Sequence, residues 1–199
     1  MVNDWTLRFD ADNDSEPGWM LEAGMMGRDW ATTTFTPALV DRTTEVVTAR
    51  GTKVFIDTTT IGTTQKTGWL ISGSISGNNN LNYKAFVEDE ASYAANKVGR
   101  GNQITDAELT VEFDSDVDFA QFRATTPVQR KIRLQREGSI IHTTVKKKVE
   151  IDLYGYWSAI SFGEREGNMT VTFGFAGYYD ATVGGTMLTK VVNALVTLP

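Results

Sequence analysis

Cysteine is absent from the 199-residue chain, and histidine occurs once, as His142. Without cysteine there is no disulfide framework, no thiolate metal site and no thiol nucleophile. One histidine excludes every site that needs two, the HExxH zinc motif among them. No segment approaches the roughly 18 to 20 consecutive apolar residues of a membrane-spanning helix. Bases are outnumbered, 19 against 25 acids, for a formal charge of −6. An acidic chain is poorly suited to gripping nucleic acid by phosphate neutralisation. The N-terminal run Met1-Val2-Asn3-Asp4-Trp5 has no basic stretch leading into an apolar one, so no secretory signal is expected and the expected setting is a reducing cytoplasm. The length suits one domain around one core.

What is abundant points to strands. Threonine occurs 27 times, glycine 18 times and proline only four times. Threonine, valine and aromatics suit a pleated surface, and spaced glycines suit turns and bulges. Leu109, Val111 and Phe113 alternate with Thr110, Glu112 and Asp114, and Met169, Val171, Phe173 and Phe175 alternate with Thr170, Thr172, Gly174 and Ala176. Such alternation gives each strand one apolar and one polar or small face. Strands are expected near 45–57, 68–76, 104–114, 129–137, 140–153, 156–163, 168–178 and 187–197. Glu137-Gly138-Ser139 is the expected turn of one hairpin, and 164–167 that of another. A short helix is expected at 116–124 behind the cap Ser115, and a second at 88–97 is the alternative to a loop. The fold class is mainly β, a sandwich or barrel-like unit with one or two short helices. Residues 1–44 read as an irregular segment on or extending from a single β domain at 45–199. The polar stretch 58–66, with Thr58, Thr59, Thr60, Thr63, Thr64 and Gln65, reads as an extended hairpin arm.

Charge is segregated. Residues 88–122 carry nine acids and two bases (9 − 2, net −7), and residues 123–148 carry eight bases and one acid (8 − 1, net +7). The two segments either face each other inside one fold or meet across subunits. Glu88, Asp89 and Glu90 on one side, and Arg130, Arg133, Lys146, Lys147 and Lys148 on the other, are the candidate inter-subunit contacts.

Catalytic equipment is thin. The run from Asp10 to Glu16 resembles the start of a calcium loop, but its sixth position is Ser15, its twelfth is Leu21, and no helical pattern flanks it. Asp114, Asp116 and Asp118 are explained by a strand end and a helix start rather than by acid–base work. His142 has no Gly-x-Ser-x-Gly elbow to serve. Gly99-Arg100-Gly101 lacks the third glycine of a dinucleotide fingerprint, and no phosphate-binding Walker sequence occurs. No cofactor, metal site or enzymatic activity is expected. The aromatics on strands, such as Tyr154, Tyr156 and Trp157, default to packing but admit a carbohydrate-binding sandwich as a rival reading.

From about residue 45 onward the order of features resembles the tail tube (major tail) proteins of long-tailed bacteriophages. The resemblance lies in GWLISGSISGNNN (68–80), YAANKVGRG (93–101), ITDAELTVEFD (104–114), DVDFAQF, RKIRLQREG (130–138), VEIDLYGYW (149–157), NMTVTFGFAGYYD (168–180) and TMLTKVVNALV (186–196). It implies a non-enzymatic virion protein assembled in the host cytoplasm. Six subunits would form a ring, and rings would stack into a tube around tape-measure protein and DNA. It also implies strands joined between subunits into one inner barrel, an arm bridging neighbours, and lumen acids that keep DNA sliding. Glu112, Asp114, Glu150 and Asp152 are the candidates for those acids, and 58–66 for the arm. Neck, terminator and baseplate proteins of similar fold are the related alternatives.

Overall fold

The computed structural model describes residues 1–12, 18–26, 45–84, 97–113 and 117–193. Twelve strands and one helix follow in chain order. They are β1 (Val2–Asp10), β2 (Met20–Met25), β3 (Lys53–Asp57), β4 (Gln65–Lys66), β5 (Leu70–Asn78), β6 (Leu81–Lys84), β7 (Lys97–Arg100), β8 (Ile104–Glu112), α1 (Val117–Phe122), β9 (Arg130–His142), β10 (Val145–Arg165), β11 (Asn168–Gly177) and β12 (Met187–Val192). Ten strands form one antiparallel sheet in the order β2-β1-β5-β8-β11-β10-β9-β3-β4, with β12 also on β10, and β6 and β7 form a separate ribbon.

The 21-residue β10 organises the fold. Its first part, up to Gly155, pairs with β9 on one edge and, from Lys148 to Leu153, with β12 on the other. Its second part, from Gly155 to Arg165, pairs with β11. Gly155 is where the partners change. A Cβ there would stand 2.0 Å from the Ala176 carbonyl oxygen, so only glycine lets the two strands approach so closely. The sheet folds at this point into two leaves, a sandwich-like arrangement. One leaf is β2-β1-β5-β8-β11 with the distal half of β10. The other is β12, the proximal half of β10, β9, β3 and β4. Alternate residues of both leaves meet in one core: Leu7, Phe9, Ile75, Leu109, Val111, Phe173 and Phe175 from the first, and Val54, Ile56, Ile132, Leu134, Ile151 and Leu153 from the second. Trp157, just past the crease, lies 4.9 Å from Phe173 and 5.7 Å from Phe175, ring centre to ring centre.

Several expectations need correction. Residues 1–44 are not irregular where described: β1 and β2 are strands of the main sheet, and Leu7 and Phe9 are core residues. Of the expected strand at 140–153, residues 140–142 end β9, and the part from Val145 on is one strand with the expected 156–163, since Gly155 bends the chain without ending it. The hairpin turn lies at Thr143 and Thr144, not at 137–139, with Thr143 at φ 49. Gly138 sits in β9 because a Cβ there would be 2.6 Å from the Glu45 carboxylate. The second turn is as expected: Glu166 and Gly167, at φ 52 and 85, make the tight β10–β11 reversal. The helix at 117–122 is present, whereas its cap Ser115 and the possible helix at 88–97 lie outside the described residues.

The stretch 58–66 is not an extended arm. Its end, Gln65, is already in β4, and the loop before it folds back on its own sheet. The buried Asp57 carboxylate accepts hydrogen bonds from the backbone N–H groups of Gly62, Thr63 and Thr64 and from the Thr63 hydroxyl, at 2.6 to 3.1 Å. Gly62 lies against the Arg133 guanidinium.

Candidate functional site: an acidic sheet face and its open edges

The outer face of the first leaf follows from register. Thr6, Ser76, Asp106 and Ala176 stand in one row across β1, β5, β8 and β11. Arg8, Ser74, Glu108 and Gly174 form the next, and Asp10, Ser72, Thr110 and Thr172 the third. Glu112 and Thr170 extend it. The face is therefore nearly all small polar side chains and carboxylates. Asp4, Glu22, Asp106, Glu108 and Glu112 are exposed. Among the described residues Asp4, Asp106, Glu108 and Glu112 make no ion pair, and Glu22 has only a loose one, with Arg8 at 3.7 Å. Arg165 reaches Asp10 at 3.3 Å and Asp12 at 3.1 Å. In a flat sheet β10 and β1 would stand about 19 Å apart, so the leaf curls toward this face. A depression of about 340 Å³ lies in it, lined by Arg8, Asp10, Ser72, Ser74, Glu108 and Thr110 among others.

The outer face of the second leaf carries as many charges, but they are neutralised in place. Arg133 donates two hydrogen bonds to Asp152, at 2.6 and 2.7 Å, and lies 3.8 Å from Glu150. Lys148 meets Glu150 at 2.8 Å. Lys53 and Lys146 both meet Glu137 at 3.3 Å, and Lys131 meets Asp180 at 3.6 Å. Hydrogen bonding to Asp152 raises the Arg133 pKa further, and hydrogen bonds from Lys53 and Lys146 lower that of Glu137. The Glu45 carboxylate accepts from the Ser139 N–H and hydroxyl and from Lys147. The Ser139 hydroxyl, followed by Lys147, holds its pKa down at about 2.

These placements correct the charge argument. The basic segment does not face the described acids of β8. It is answered on its own leaf by Glu45, Glu137, Glu150, Asp152 and Asp180, with Lys66–Asp118 at 2.9 Å a separate contact. Lys146, Lys147, Lys148 and Arg133 are thus engaged within the chain. Glu150 and Asp152 are buried under these partners, on the other leaf from the acidic face. Glu112 does stand on the acidic face. Glu88, Asp89, Glu90 and Asp114 lie outside the described residues. Sequence reasoning missed Asp4, Asp106 and Glu108. The signal for the last two was their alternation with Ala107 and Leu109, which places them on the face of Glu112.

No family model matches the chain, and no curated protein is similar to it in sequence. The surfaces must therefore be read on their own physics.

Both ends of the first leaf are open. Among the described residues β2 pairs only with β1, and it exposes Met20, Leu21 and Met25. At the other end, β9 stops at Arg130 opposite Gly155. Beyond it, residues 156–161 of β10 have no strand on that side among the described residues, and α1 sets Phe119 against Phe162 further on. β12 has a third open edge, with Leu188 and Val191 exposed. Unpaired strand edges with apolar side chains are templates for another chain. His142 lies in the exposed hairpin tip, its Nδ1 3.1 Å from the Thr143 hydroxyl. Among the described residues no three acids or histidines are grouped to hold a metal, and no helix is long and apolar enough to cross a membrane.

Proposed function

We propose that this chain is a non-enzymatic subunit of a bacteriophage tail tube, working by assembly into stacked rings that conduct DNA. One observation carries the reading: a sheet whose outer face holds Asp4, Asp106, Glu108 and Glu112 without an ion pair, and whose two end strands are both open, among the described residues. Copies joined end to end, β10 of one to β2 of the next, continue the sheet and keep every acidic face on the same side. Closure of that sheet removes the exposed edges. An acidic wall repels phosphate, so DNA passes without adhering. The neutralised second leaf then faces away from the channel, and the partners are other copies, tape-measure protein and further tail proteins, in the virion. Negative-stain microscopy of concentrated protein is expected to show rings or tubes. Protein that stays monomeric at every concentration overturns the reading, and closed rings that never stack favour a neck, terminator or baseplate role.

A different observation favours a binding module. Tyr178 and Tyr179 are exposed, and Tyr156 meets Tyr178 edge-on at 5.4 Å. Such a patch suits a sugar or host surface. Glycan-array binding without self-association decides for that reading.

A further inference from the structure

Arg130 of the second leaf has no ion pair among the described residues. It opens β9 and shares inward parity with Ile132 and Leu134, both fully buried. It is itself 7% exposed, and its Nε and Nη2 have no hydrogen-bond partner among the described residues. Trp157 Nε1 is orphaned in the same way. Arg130 stands opposite Gly155, and Trp157 lies two residues further along β10. Two orphaned donor side chains thus border the point where β9 stops and the open edge of β10 begins. A guanidinium keeps its charge at any ordinary pH, and a buried charge without an acceptor is strongly unfavourable. The acids of its own leaf are already engaged: Glu45, Glu137, Glu150, Asp152 and Asp180 each hold a lysine or arginine.

We infer that Arg130 receives a carboxylate from a second copy of this chain, brought in along the unpaired edge of β10. This rests on the assembly reading and names a residue at its seam. The second copy is favoured by charge. The chain carries a surplus of acids (net −6). A strand added beside residues 156–161 continues the line of β9 and arrives next to Arg130. The four torsions of arginine let its head turn toward that edge while its stem stays packed.

The test is Arg130→Met, close in shape but uncharged, measured in dilute and in concentrated protein. In dilute, monomeric protein the substitution removes an unpaired buried charge, so Tm is expected to rise by about 3–8 °C. In concentrated protein, self-association by sedimentation velocity is expected to weaken by roughly tenfold or more. A lower dilute Tm overturns the inference, because Arg130 then has its acceptor inside the subunit. A higher Tm with unchanged association also overturns it. Arg130→Gln, which keeps amide donors without the charge, replaces the Met variant if that one does not fold, with the same expected directions. Wild-type protein that never associates removes the assembly reading itself. Wild-type association with a normally associating variant removes only this inference.

Discussion

At the residue scale, two positions show how local chemistry sets the frame. Gly155 is a contact requirement: an alanine methyl cannot occupy a point 2.0 Å from a carbonyl oxygen that the β10–β11 ladder holds in place. Gly155→Ala is expected to destabilise by more than about 3 kcal/mol, beyond ordinary overpacking, read as a lowered urea midpoint or as insoluble expression. A midpoint near wild type would remove the crease argument. Asp57 is the second position. Burial pushes its pKa up, but the Thr63 and Thr64 hydrogen bonds outweigh this and hold it below 3.8. A folded pKa below the unfolded one means stability that is present above the unfolded value. It is lost as pH falls through the folded one. Asp57→Ala is therefore expected to lower stability by about 1–3 kcal/mol at pH 7, with the gap to wild type closing below about pH 4. Thermal melts from pH 7 to 2 check this, and a gap that persists unchanged at pH 2 counts against it.

At the scale of elements, alternation made β8 and β11 legible, because apolar side chains at every second position enter the core. The same rule could not place β1 and β2, since Leu7 and Phe9 alternating with Thr6, Arg8 and Asp10 give too short a pattern beside the acidic stretch that follows. It misplaced the β9–β10 turn because Gly138 looks like a turn glycine, whereas it lies against the Glu45 carboxylate, which Ser139 binds from 94 residues away. Long-range contacts of that kind leave no local mark. The charge lattice of the second leaf is another, and it predicts unequal variants. Arg133→Ala strands Asp152, 4% exposed, without its bidentate partner. The expected cost is about 3–5 kcal/mol by chemical denaturation, with a paired Arg133→Met, Asp152→Leu replacement much milder. Equal costs would show that the pair does not act as a unit. Reversing Lys146, Lys147 and Lys148 to glutamate reaches beyond any contact between subunits. With Lys148 on buried Glu150 and Lys147 on Glu45, it is expected to lower the subunit's own Tm as well.

At the scale of the whole molecule, the average charge conceals a division between leaves. One outer face carries bases and acids in contact, so its field cancels within a few ångströms. The other carries Asp4, Asp106, Glu108 and Glu112 with no ion pair among the described residues, so its field reaches about a Debye length, ~8 Å at physiological salt. The sequence showed the acids of β8 but not this difference, because a charge is silent about its partner until the strands are paired. If that face lines a passage for DNA, its sign should govern whether DNA slides or sticks. Asp106, Glu108 and Glu112 are exposed, lie on a central strand and support no described ion pair. Replacing all three with lysine should therefore leave folding and association near wild type. The same change turns a repelling wall into a binding one. Assembled variant is expected to retain duplex DNA in filter binding at about 50 mM salt and to release most of it by about 200 mM, as counterion release requires. Wild-type assemblies should retain none at either salt. Assemblies of the variant that ignore DNA as the wild type does would mean this face is turned away from the channel, and the neutral leaf would have to be the wall.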